Sequence, residues 1–338
     1  MAMAKSGPKI KTTVVGSYPL PDWLVASPSE QALIDATRAV LGTQETAGLD
    51  VVCDGELYRF DINHPETNGM IEYFTRPMDG IRNEATFAEA IAYRKQDAMG
   101  FRARPPGVVD GAIGHGTLDL PYAASRAKNL ARNPLKFTVT GPHMLARTLI
   151  NSHYDDVPAM TMAIADVLAE QISHIEADVV QLDEANLPGH PEDWPWAADA
   201  INRVLDAVQN TPAVHLCFGN YGGQSVQSGT WEKLIAYLNA LHADHIVLEN
   251  AHRPVEELAV FKDLRPGLGL GLGVVDIKVN SIESADEIAG AIERAEKILG
   301  QGRIKYINPD CGFWMLPRSV ADGKIRALAA GRDLYEGR

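Results

Sequence analysis

The chain has 338 residues, 46% of them apolar and 22% charged, ordinary values for a globular protein that buries a core without disulfide support. A formal charge of −13 argues against nucleic acid or an anionic membrane as partner, and no apolar run is long enough to span a bilayer. The first twelve residues carry lysines but no apolar stretch, so no secretory signal is expected, and three cysteines far apart (Cys53, Cys217, Cys311) suit a reducing cytoplasm.

Short β-rich runs recur at 13–16, 51–53, 136–140, 179–182, 214–217, 245–248, 270–277 and 305–308. Most are continuous Val- and Ile-rich runs, the pattern of strands buried on both faces of a parallel sheet. Helical periodicity lies between them: 158–176 with Asp155 and Asp156 as caps, 231–241, 254–261, a helix from the Ser284/Glu287 capping box to about Leu299, and 318–330. This alternation predicts a single-domain (β/α)8 TIM barrel, with a doubly wound open sheet as the structural alternative. Residues 57–135 break the rhythm and are too many for one connection; they predict an insertion after the second strand, acting as a lid or wall. Within it, 85–96 reads as helix and 104–116, rich in Pro and Gly, as loop.

Polar residues follow every predicted strand: Ser17; Asp54 and Glu56; Gly141-Pro142-His143; Asp183-Glu184; His215 and Cys217; Glu249; Asp276 and Lys278; and Asp310-Cys311. In a parallel barrel these ends share one rim, where active sites are built. His215 and Cys217, two apart on a strand, point the same way. Alone they are weak evidence, since Cys is often a buried apolar residue and His a satisfied core group. Cys311 and Glu249, at neighbouring strand ends, change the balance. One imidazole, two thiolates and a carboxylate form a tetrahedral zinc set, so Zn2+ is the expected cofactor. Cys53, inside an apolar run, is expected in the core. The run 267–273 (Gly-Leu-Gly-Leu-Gly-Leu-Gly) precedes or starts a strand, so it is read as close strand packing and not as a dinucleotide loop.

The ordered segments Val15-Gly16-Ser17, Asp54-Gly55-Glu56 with Arg59, Thr140-Gly141-Pro142, Gln181-Leu182-Asp183-Glu184, His215-Leu216-Cys217, Leu248-Glu249 and Asn308-Pro309-Asp310-Cys311-Gly312 resemble the catalytic C-terminal half of cobalamin-independent methionine synthase. The resemblance runs from about Thr12 to Leu334. It implies a (β/α)8 barrel and zinc on His215, Cys217, Glu249 and Cys311. It also implies that Ser17, Glu56 and Asp183 hold the amino-acid end of homocysteine. Zinc would take the proton from a thiol that is otherwise only a few per cent ionised at neutral pH. Glu249, the hardest ligand, is the one expected to yield to the substrate thiol.

Two departures stand out. The folate-binding N-terminal half of the long enzyme has no counterpart, and the family's Asp-Ile-His sequence reads Asp276-Ile277-Lys278. Lys278 or His143 then becomes the expected proton donor, with Asp276 as a further catalytic candidate, and Glu184 and Arg59 are expected at the substrate beside Ser17, Glu56 and Asp183. A shorter branch, the epoxyalkane:coenzyme M transferases, is similar too, especially over residues 215–223. There a zinc thiolate opens an epoxide, and Arg59 or Lys278 would meet the sulfonate. Epoxide opening by coenzyme M is therefore the favoured expectation. Methyl transfer to homocysteine is the alternative, and a non-catalytic metal- or thiol-binding barrel is a third reading. The related uroporphyrinogen decarboxylase-like fold lacks the metal. Partners are expected to be a small thiol, coenzyme M or homocysteine, and an alkyl donor. No nucleic acid or membrane is expected, and a homo-oligomer is left open.

Overall fold

The computed structural model describes residues 9–61, 63–95, 102, 104–219 and 229–338. Eight strands form its centre: β1 (Lys11–Thr12), β2 (Val52–Cys53), β3 (Leu135–Thr140), β4 (Val179–Glu184), β5 (Thr211–Leu216), β6 (His245–Leu248), β7 (Gly269–Val275) and β8 (Ile304–Pro309). Their order is β1-β8-β7-β6-β5-β4-β3-β2, and every pairing is parallel. A parallel bridge between Thr13 and Val51, with Val51 N–H donating to the Thr12 carbonyl at 3.1 Å, joins the two ends. The sheet is a closed barrel of the expected (β/α)8 type, not an open doubly wound sheet. β3, β4, β6 and β7 are buried along their whole length, the reason their sequences read as continuous apolar runs.

Helices cover the outside, and their ends follow local chemistry. Ser29 caps the helix Glu30–Ala47, which stops at Gly48 in the left-handed region. Asp156 caps Val157–Ile172, which ends four residues before the expected boundary. The Ser284/Glu287 capping box opens Ala285–Leu299 as expected. The expected helix 254–261 is instead a 3-10 segment, Val255–Asp263, and 231–241 begins as one, Trp231–Leu234, before Ile235–Ala240. No helix among the described residues is long and apolar enough to cross a membrane.

The stretch after β2 departs most from the sequence reading. Residues 104–116, expected as loop, contain the strand Val108–Gly114. It pairs antiparallel with Asp79–Arg82 and parallel with Ile150–Asn151 in a separate three-stranded sheet. Val108 and Val109 are fully buried there, so two apolar residues outweigh the surrounding Pro and Gly. The helix inside 85–96 is Phe87–Tyr93, opened by a Thr86/Glu89 capping box, and Gln96 lies outside the described residues. Leu120–Leu130, the last helix of the 57–135 stretch, packs on β3 and on Glu30–Ala47 as part of the barrel's outer layer.

The glycines of β7 have a steric purpose. A Cβ on Gly271 would lie 2.8 Å from Asn308 Oδ1, and one on Gly273 2.1 Å from Asp310 Oδ1. The alternate glycines leave room for β8 side chains to cross the strand, as close packing of this segment requires. Gly273→Ala is expected to cost about 1–3 kcal/mol by overpacking. Gly42→Ala, in a helix and with nothing within 4 Å of the new methyl, is expected to gain roughly 0.5–1 kcal/mol. Urea denaturation of the two variants checks both signs; a neutral Gly273→Ala would show that β8 does not need the gap.

Candidate metal centre

His215 lies on β5 and Cys217 just beyond it, with Cys217 N–H continuing the pairing to the Glu184 carbonyl at 3.3 Å. Cys311 follows β8. One donor atom from each of His215, Cys217 and Cys311 lies within 4.8 Å of the others. Two Zn–S bonds of 2.3 Å at the tetrahedral angle would set sulfurs about 3.8 Å apart, so the set is near the size an ion needs. His215 Nδ1 donates to the Val247 carbonyl at 3.1 Å, which fixes the tautomer. Nε2 is left buried without a well-aligned hydrogen bond, facing the sulfurs. A buried ring nitrogen aimed at two thiols is what a zinc site leaves when its protein part stands alone. The Cys217 S–H and the His215 ring together pull Cys311 down to about 5, despite its burial. Cys217 moves the other way, because its proton is shared with Cys311 and its surroundings are apolar.

Glu249, fully buried at the end of β6, is beside this cluster but turned elsewhere. Its Oε1 pairs with His252 Nε2 at 2.9 Å and Lys278 Nζ at 3.5 Å. Its Oε2 accepts from Phe218 N–H at 3.4 Å, next to Cys217. Burial raises the Glu249 pKa, but His252 and Lys278 outweigh it and the net shift is down. His252 also bonds Asp310 Oδ2 through Nδ1, at 2.7 Å. Held between two carboxylates, its imidazole is raised to about 9. Sequence reading passed over His252, although its place three residues after Glu249 is the one signal that puts both on a single turn. His252, Asp276 and Asp310 also approach one another. Lys278 Nζ, 3.3 Å from His252 Nε2, makes that group a poor cation site.

The other rim residues divide into two sets by strand alternation. Asp183 faces the barrel interior, 5% exposed, and burial is the main cause that raises its carboxyl to about 7. Ser17 sits against Gly312, where a Cβ would meet Ser17 Oγ at 2.0 Å. Glu56 takes a left-handed φ of 59° after Gly55, a strained conformation at this rim. Its oxygens accept from Thr138 Oγ1 at 2.6 Å and pair with Arg59 at 3.2 Å. Arg59 is 4% exposed, bonded to Thr138 and packed among Tyr58, Tyr73 and Phe74. It is a structural partner of Glu56, not a free cation for a sulfonate.

Glu184, expected at the substrate, points away from Asp183. Its Oε1 accepts from Asn186 N–H at 2.7 Å and Leu187 N–H at 3.1 Å. Its Oε2 meets His143 Nδ1 at 3.2 Å, and His143 Nε2 meets Asp193 at 3.0 Å. His143 has no exposed surface, and its two nitrogens face the buried carboxylates of Glu184 and Asp193, so it is not placed to protonate a substrate. Asp276 holds its own turn, accepting from Lys278 N–H at 2.8 Å, while its carbonyl accepts from Lys324. Cys53 is buried in the core as expected.

The catalytic-domain family of the cobalamin-independent synthases matches residues 10–330. The chain belongs to that family. The methionine synthases of Pyrococcus abyssi and Pyrococcus furiosus are each 30% identical to it, over 94% of this chain and 90% of theirs. That of Saccharolobus solfataricus is 26% identical over 96% of this chain and 94% of its own. Among solved structures, a B12-independent methionine synthase from Shewanella sp. W3-18-1, in complex with selenomethionine, superposes with a TM-score of 0.79 at 23% identity. It covers 97% of this chain and 98% of that one, and it supports the fold. The chain is thus an enzyme of this family, spanning nearly the whole length of these relatives.

Two outcomes follow. Cys311→Ser should remove most bound zinc, read by metal analysis after dialysis against a weak chelator; full retention would refute the three-donor set. His143 tests the buried ion pairs. Burial lowers its pKa, but Glu184 and Asp193 prevail and it rises from 6.5 to about 8. The stabilisation is full below the unfolded pKa near 6.5 and is lost as pH rises through about 8. His143→Gln should therefore cost roughly 2 kcal/mol more at about pH 6 than at about pH 9 in urea titrations. An equal cost at both would show that the imidazole is neutral.

Proposed function

We propose that the chain transfers a methyl group to the thiol of a homocysteine-like amino acid, with zinc held by His215, Cys217, Cys311 and Glu249. The observation that carries this reading is the convergence of one orphaned imidazole nitrogen and two thiols next to buried carboxylates at one barrel rim. Bound zinc supplies acidity toward the substrate thiol, keeping it as a nucleophilic thiolate at neutral pH. The names of the relatives support methyl transfer, and the selenomethionine complex of the Shewanella protein supports an amino-acid thioether as product class.

The protein's own groups share the remaining tasks. Asp183 and Glu56 receive the substrate ammonium, and Ser17, beside Gly312, meets its carboxylate end. Two buried acids suit an ammonium better than a sulfonate. Arg59 is already neutralised by Glu56, so the geometry gives no support to coenzyme M. His252, with Lys278, replaces the histidine expected after the seventh strand. Together they bring a proton to the leaving group of the methyl donor, while Asp310 keeps the ring oriented. The three-stranded sheet and its neighbours within 57–135 form a wall of the pocket in a single-domain enzyme. Residues 62, 96–101 and 103 of the 57–135 stretch, and 220–223 of the segment shared with the coenzyme M branch, lie outside the described residues. Metal-binding thiols also suit a reducing compartment, consistent with a cytoplasmic enzyme.

The test is thiol consumption by the zinc-loaded protein, with homocysteine and methyl donors in one arm and coenzyme M with small epoxides in the other. Turnover is expected in the first arm only. Turnover in the second alone would overturn the methyl-transfer reading, and turnover in neither would favour a non-catalytic barrel.

A further inference from the structure

Deep in the barrel lies a charged group that the chemistry above does not use. Lys136, on β3, is 1% exposed. Its ammonium donates to the Val14 carbonyl and to Gln181 Oε1, the latter at 2.9 Å. Gln181, on β4, donates from Nε2 to the Val15 carbonyl at 3.1 Å and to Asp183 Oδ1 at 2.7 Å. A buried ammonium is costly unless its donors are used, and here they reach two acceptors, one just past the end of β1 and one on β4.

The donor inventory makes this arrangement directional. An ammonium has only donors, so Gln181 must offer it the carbonyl oxygen. The amide NH2 is then forced toward Asp183. Without Lys136 the amide oxygen loses its charged donor, and the group is held only through its NH2, by the Val15 carbonyl and Asp183. The same ammonium holds the Val14 carbonyl, and Gln181 the Val15 carbonyl, at the segment that leads to Ser17.

We propose that Lys136 is a positioning residue that acts through Gln181 to aim the Asp183 carboxylate at the ammonium of the substrate. The inference rests on the proposed reading of Asp183 as the receptor for the substrate ammonium. It gives the barrel interior a part in specificity: the selection of an amino thiol over a thiol lacking the amine is set two residues below the rim.

The experiment is equilibrium binding, by calorimetry, of homocysteine and its desamino analogue 4-mercaptobutanoate to the zinc-loaded protein. The wild type is expected to favour homocysteine. Lys136→Met should weaken homocysteine roughly tenfold and leave the desamino thiol unchanged within about twofold, as loss of one aligned charged hydrogen bond requires. Gln181→Leu, which keeps the fold testable if the lysine variant does not accumulate, should show the same selective loss. The double variant should lose no more than either single one. A wild type that binds both thiols equally would overturn the amine-receptor reading of Asp183 and the relay with it. A wild type with the preference, beside variants that keep it, lose both thiols alike or lose affinity additively, would overturn the relay alone.

Discussion

The arrangement of the rim depends on the buried carboxylate of Asp310. Its Oδ1 accepts from Asn250 N–H at 2.8 Å and Ala251 N–H at 2.7 Å, and its Oδ2 bonds the His252 ring. Asp310 N–H in turn donates to the Val275 carbonyl at 3.0 Å. One side chain therefore ties the end of β8 to the turn after β6, passing over β7. The crossing is possible because Gly273 has no side chain in its path. Cys311 and Glu249 sit immediately beside the two ends of this tie, so the relative placement of a thiol and a carboxylate from distant parts of the chain follows from it.

Charge is distributed around that tie in a consistent way. The candidate metal donors are one imidazole and two thiols. A second side of the rim, where the substrate ammonium is proposed, carries Asp183 and Glu56, with Arg59 buried against the latter. The opposite side carries His252 and Lys278 against Glu249 and Asp310. Glu56 thus faces Arg59, Glu249 and Asp310 face His252, and Asp183 takes the Gln181 amide, as a low-dielectric interior demands. A carboxylate already paired with two cations has an alternative to metal ligation, which supports the proposal that Glu249 is an exchangeable ligand.

Much of this was legible in the sequence because a parallel barrel converts strand order into rim position. Ser17, Glu56, Asp183, His215, Cys217, Glu249 and Cys311 could each be placed by counting strands and respecting their two-residue period. What was hidden depends on contacts between turns. His252 lies beyond the strand end and reaches the rim only because Asp310 draws its turn inward. His143 looked available until Asp193, fifty positions later, closed its second nitrogen. Glu184 turns toward His143 and the Asn186 turn by the same alternation that points Asp183 the other way. Val108–Gly114 was masked by Pro and Gly, since pairing with Asp79–Arg82 is a non-local event that composition does not display.

The central claim is that His215, Cys217 and Cys311 form a thiolate-rich zinc site to which a substrate thiol adds. Zinc K-edge X-ray absorption of the loaded protein tests it most directly. Two sulfur scatterers are expected in the resting enzyme and a third on addition of homocysteine. A shell of nitrogen and oxygen alone, or a sulfur count unchanged by the thiol, would contradict the account.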